Sequence, residues 1–141
     1  MYQTGDIIKA SINKIPFIYH YGIILVKDGQ EAIIHNSPNE KNNYGGNILV
    51  YDLQEFFKSR KIVHVQRTNI SKIRILKIVD KYKSMPFSLL AFNCEHFIFE
   101  IRDGRPHSPQ IKDFVYNFIT VLMIIYMIRN RILLKKAGIS G

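Results

Sequence analysis

Apolar and polar positions along the first half of this chain follow a strand rhythm, and the second half follows a helical one. Residues 7–12 alternate, and residues 17–26 and 31–36 are rich in β-branched and aromatic side chains, so all three segments read as strands. Between the last two, Lys27-Asp28-Gly29-Gln30 predicts a tight hairpin, because Asp-Gly supplies the positive φ angles of a two-residue primed turn. With Asp28 and Gly29 as the loop, Lys27 faces Gln30, Tyr21 faces Asn36 and His20 faces Ser37. His20 and His35 then become diagonal neighbours on one sheet face, about 7 to 8 Å apart at the backbone. A register change of one residue would send them to the other face.

Further on, residues 47–51 read as a strand, Asp52 caps a short helix over 53–60, and 62–67 alternates again. Ser71 opens a helix running to about residue 84, with Ile75, Ile78, Val79 and Tyr82 on one stripe and Pro86 beyond its end. Asn93 is a good N-cap for a helix from Cys94, with Phe97, Ile98 and Ile101 at helical spacing and Gly104 as the stop. The polar stretch 37–46 reads as a loop, suited to a rim or lid. The expected fold is α+β, with four mostly antiparallel strands and helices on one side.

Residues 114–128 break both rhythms, being apolar on every face, and Arg129, Arg131, Lys135 and Lys136 follow. At about 1.5 Å per residue this run gives roughly 22 Å, short of a hydrocarbon core of about 30 Å. A full span would have to include Arg129 and Arg131 with their side chains snorkelling to the interface. A buried core helix or an oligomer contact is the soluble alternative.

Composition narrows the class. The chain has 141 residues, 47% of them hydrophobic, which suits one domain with a real core. A net charge of +9 favours an anionic surface, either nucleic acid or acidic phospholipid headgroups. The cations of residues 58–83 are scattered over two elements without a glycine-rich or stacking-aromatic signature, so nucleic acid is not expected. The first six residues lack the basic and apolar regions of a secretory leader. The single cysteine excludes an intramolecular disulfide and fits a reducing cytoplasm.

That cysteine, Cys94, carries the candidate chemistry. A free cysteine commonly packs as a small hydrophobe. Here it sits at a helix start, where the macrodipole favours negative charge, with two histidines converging on one face of an earlier hairpin. This combination suits a thiol nucleophile and its base. The amide of Cys94 is a natural oxyanion donor. His96 lies on a different side of the helix from Cys94 and reads as structural. The spacing of His20, His35, Cys94 and His96 matches no zinc pattern, and neither a metal nor a cofactor is expected.

Gly5-Asp6-Ile7-Ile8, His20-Tyr21-Gly22-Ile23, His35 and Asn93-Cys94-Glu95-His96-Phe97 together resemble the lecithin retinol acyltransferase family, including its H-Ras-like suppressor phospholipase/acyltransferase branch. Leu89-Leu90, Gly104 and Ser108-Pro109-Gln110 resemble the family's surroundings as well. The resemblance implies a circularly permuted papain-like or NlpC-type fold over residues 1–111, followed by a hydrophobic C-terminal segment at 112–141 that anchors several animal members to membranes. It also implies roles: Cys94 as nucleophile, His20 as general base, and His35 as the group that orients or polarises His20. Tyr21 stands where the family commonly has tryptophan. The expected activity is a thiol-dependent acyltransferase or phospholipase A acting on glycerophospholipid esters, with phospholipid as substrate and a membrane surface as partner. The alternatives are an NlpC-type cysteine peptidase or amidase, and an inactive, viral-type interaction module of the same fold.

Overall fold

The alternating segments assemble into an antiparallel sheet of β1 (Ile7–Ile12), β2 (Ile15–Lys27), β3 (Gln30–Asn36), β4 (Ile48–Asp52) and β5 (Arg60–Gln66), in the order β4-β3-β2-β1-β5. The computed structural model describes residues 1–12, 15–38 and 48–136. Among the described residues the helices are α1 (Leu53–Phe57), α2 (Lys72–Tyr82), α3 (Cys94–Asp103) and α4 (Pro109–Lys136). The chain divides into two units, Met1–Ser108 and Pro109–Gly141.

The α+β class is as expected, with two differences. The sheet has five strands instead of four, because every segment with strand character joins it. Helices also cover both faces. In β1, β2 and β3 adjacent isoleucines point to opposite faces, and each face has to be buried. Ile7, Ile23 and Ile34 pack with Ile75 of α2 and with Phe97, Ile98 and Ile101 of α3. Ile8, Ile24 and Ile33 pack with Phe56 of α1.

The hairpin forms in the expected register, with Lys27 opposite Gln30 and Ile23 opposite Ile34. Its turn residues Asp28 and Gly29 have φ of 52° and 77°. Asp52 and Ser71 cap α1 and α2 through their side chains. Helix α1 ends at Phe57, earlier than residue 60, because Arg60 already belongs to β5 and its guanidinium donates to the Phe56 carbonyl at 2.9 Å. Residues 39–47, which include most of the expected rim or lid, lie outside the described residues.

Considered alone, α4 is a 28-residue helix that begins at Pro109, well before the apolar run, since proline suits a first helical turn. Its segment Pro109–Leu133, 25 residues, is long and apolar enough to cross a membrane by length and composition, and its apolar window is not buried. At 1.5 Å per residue that segment measures about 38 Å, which removes the shortfall estimated from residues 114–128 alone.

Candidate active site

Strands β2 and β3 deliver the two histidines to one place. His20 Nε2 and His35 Nδ1 are 2.8 Å apart, with the rings edge to face and their centroids 4.9 Å apart. The hairpin register puts them on one face, and the side chains close the diagonal gap between the backbones. Phe56 of α1 packs against both rings, and Tyr51 of β4 against His35.

Both imidazoles are buried, and burial is the main reason they resist a proton. His20 is held well below the ordinary imidazole range by burial, then by His35 and the Arg60 cation. His35 is pulled down to about 3 by burial and then by Arg60. His35 Nε2 is a buried atom without a hydrogen-bonding partner among the described residues, so a proton there gains no bond. The pair is therefore neutral at pH 7.

Cys94 is the first residue of α3, which starts where Asn93 caps it. The Asn93 side-chain oxygen accepts from the amides of Glu95 at 2.9 Å and His96 at 3.1 Å, and His96 Nδ1 accepts from the Asn93 amide at 3.3 Å. This reciprocal capping box gives His96 the structural part expected of it. Phe97, Ile98 and Ile101 seat the helix on the sheet, each contributing about 1.5–3 kcal/mol by burial. The backbone amides of Tyr21, Glu95 and Cys94 itself approach the sulfur and favour a thiolate. Burial outweighs them and, with the Glu95 charge, pushes the thiol up to about 12.

The structure thus joins His20 directly to His35 and places Cys94 against the amide of Tyr21, the next residue along β2. Among the described residues no hydrogen bond links His20 to Cys94. Because His20 and Tyr21 are adjacent along β2, their side chains point to opposite faces of the sheet: the imidazole pair packs under Phe56 of α1, and Cys94 lies on the face covered by α3.

A buried polar network lies behind the cysteine. Glu95 accepts hydrogen bonds from Ser108 Oγ and from the Tyr21 phenol, whose ionisation burial and this carboxylate oppose. Asn93 Nδ2 donates to the Leu89 carbonyl at 2.9 Å and to Ser108 Oγ at 3.4 Å.

The chain is similar to lecithin retinol acyltransferase. It is 34% identical to the bovine protein of that name over 95 residues, which is 67% of this chain and 38% of the relative. The rat protein of the same name is 34% identical over 71 residues, 50% of this chain and 28% of the relative. The chain therefore spans well under half the length of these curated relatives. No family model matches it, and no solved structure matches it.

Several residues of the site escape a reading of the sequence. Phe56 and Arg60 reach the imidazoles only because α1 folds back over the sheet, and nothing in their spacing announces it. Glu95 carried a signal, being next to the only cysteine, but its partner Ser108 lies 13 residues away beyond the turn at Gly104.

Proposed function

We propose that this protein is a member of the lecithin retinol acyltransferase family, with the permuted papain-like fold, and that it is a thiol-dependent acyltransferase or phospholipase A acting on glycerophospholipid esters. The observation that carries this reading is the 2.8 Å His20–His35 pair, set one residue along β2 from the amide that meets the Cys94 sulfur. The similarity to lecithin retinol acyltransferase over 95 residues supports the same reading.

In this mechanism His20 Nδ1 is the base, so its Nε2–H donates to His35 Nδ1. Because the resting imidazole is a weak base and the thiol a weak acid in the buried site, proton transfer is coupled to attack. The imidazole has to turn from the α1 face toward the sulfur, whereupon His20 takes the proton and Sγ adds to the ester carbonyl. His35 stabilises the imidazolium through its Nδ1 lone pair. The amide of Cys94 faces the developing oxyanion. When the intermediate collapses, the ester C–O bond breaks and His20 returns the proton to the leaving lysophospholipid oxygen. The Cys94 thioester then passes its acyl group to water, an amine or an alcohol.

Helix α4 supplies the location in this reading. Its apolar segment enters the bilayer, and the domain at residues 1–111 works on the reducing, cytoplasmic side, where a free thiol survives. The decisive measurement is intact mass after incubation with phosphatidylcholine. An acyl adduct on Cys94 that is absent from Cys94→Ser and His20→Ala is the expected result, and undiminished turnover by Cys94→Ala ends the proposal.

A further inference from the structure

Strands β2, β1 and β5 lie side by side in the sheet, and none of them contains an aspartate or a glutamate. Their register gathers the polar side chains into one patch. Lys9 stands between Tyr21 of β2 and His64 of β5, and Ser11 likewise stands between Tyr19 and Lys61. Directly opposed residues share a sheet face, and Tyr21 packs against the cluster under α3, so all six point to that face.

Several other cations of the domain are matched with carboxylates: Lys58 with Glu55, Arg67 with Asp6, Lys81 with Glu100 and Lys83 with Asp80. Among the described residues no ion pair does this for Lys9 or Lys61. Lys9 Nζ rests instead over the Tyr19 ring, 3.9 Å from its centre, with the Tyr21 ring centre at 5.9 Å. A π face holds an ammonium in place without neutralising it, so the charge stays available to an anion. Lys9, Tyr19 and Tyr21 are half-buried, whereas Lys61 and His64 are exposed, which leaves the patch open to solvent on its β5 side.

The patch adjoins the nucleophile. Tyr21 is the residue whose amide meets the Cys94 sulfur, and neighbouring strands are about 4.8 Å apart, so the cations begin one strand away. In a glycerophospholipid the phosphate is only a few bonds from either ester carbonyl. Within that reach of Cys94, Lys9 offers a cation that no carboxylate quenches. We infer that Lys9 and Lys61 form the subsite for the phosphate of the glycerophospholipid whose ester Cys94 attacks, an assignment that rests on the proposed function. Lys9 makes the ion pair, Tyr19 holds its ammonium in position, and Lys61 adds a second charge from the diagonal position on β5.

The test is calorimetry on the full chain in a neutral detergent, carrying Cys94→Ala so that the ligand is not consumed. Dihexanoyl phosphatidic acid is compared with dihexanoylglycerol, which has the same esters and no phosphate. The phosphate should tighten binding about tenfold or more, the strength of one hydrogen-bonded charge pair. Lys9→Gln should remove most of that preference, Lys9→Arg should keep it, and Lys61→Gln should remove a smaller part. Lys27→Gln, which deletes a charge at the hairpin end of β2, should leave it intact. Equal affinity for the two ligands before any lysine is changed overturns the subsite. An equal loss on both ligands in Lys9→Gln overturns it too, because it would mark a structural lysine. If Lys9→Gln weakens only adsorption to phosphatidylserine vesicles and not binding of the monomeric ligand, the patch attracts acidic membrane surfaces in general and the subsite is again overturned. A phosphate preference that depends on Lys9, in a chain whose active form yields no acyl adduct on Cys94, keeps the phosphate subsite and overturns the proposed chemistry alone.

Discussion

Helices α3 and α4 are both rich in apolar residues, and they resolve that richness in opposite ways. Helix α3 is amphipathic: it buries Phe97, Ile98 and Ile101 and is closed at one end by the Asn93 box and at the other by Gly104 in the left-handed region. Helix α4 has no polar stripe, and its phenylalanines, isoleucines and methionines from Phe114 to Ile128 are exposed one after another. Periodicity separates the two where composition does not. A helix with one apolar face asks for a protein partner, and a helix apolar all round asks for a solvent that is itself apolar. In the proposed function, chemistry belongs to the first and location to the second.

That division is tested most severely at Cys94. Replacing it with serine should lower acyl-adduct formation about a thousandfold or more, read by intact mass, while leaving membrane fractionation unchanged. Conversely, ending the chain at Ser108 should move it from the membrane to the soluble fraction while Cys94 keeps its reactivity toward small thiol reagents. If the shortened chain unfolds instead, α4 is part of the core and the contrast fails.

Under the proposed mechanism, in which His35 orients and polarises while His20 transfers the proton, His35→Gln should retain part of the activity, with a loss of about ten- to a hundredfold. Equal losses for His35→Gln and His20→Ala would show that the two histidines act as one base. The pair also fixes a pH dependence. Unfolded histidine takes up a proton near 6.5, whereas folded His35 does so only at about 3. Between those values the unfolded chain binds more protons, so stability should fall as pH drops from about 6.5 toward 3. Thermal unfolding in detergent across that range checks the sign, and His35→Gln should flatten the slope.

The smallest expected effect concerns the end of α3. Gly104 has φ of 77°, and a Cβ there would meet only the Arg74 guanidinium at an ordinary 3.7 Å. Gly104→Ala should therefore cost only the backbone penalty, about 1 kcal/mol. A substantially larger loss would reveal packing at the C-terminus of α3 that the structure does not show.

Local signals in the sequence were enough to place α3, α2 and the hairpin, because caps, stripes and an Asp-Gly turn act within a few residues of themselves. The meeting of His20 with His35 was also legible, since a two-residue turn determines the register at a distance. What could not be read was decided by the packing of elements far apart in the chain. The second helical layer depends on Phe56 folding onto Ile8, Ile24 and Ile33, and adjacent isoleucines in a strand do not reveal which helix will cover which face. The Glu95–Ser108 bond depends on how the chain turns after Gly104, for which Arg105, Pro106 and His107 give no periodic signal.

Asn93 uses both ends of its amide: the oxygen accepts from two backbone amides, and the nitrogen donates to Leu89 and Ser108. Aspartate offers the acceptors without the donors, serine and threonine lack a second donor, and glutamine holds the same group one methylene too far out. The genetic code therefore has a single synonym for this position. In a saturation library every other letter should be depleted at position 93, including asparagine's nearest chemical relatives.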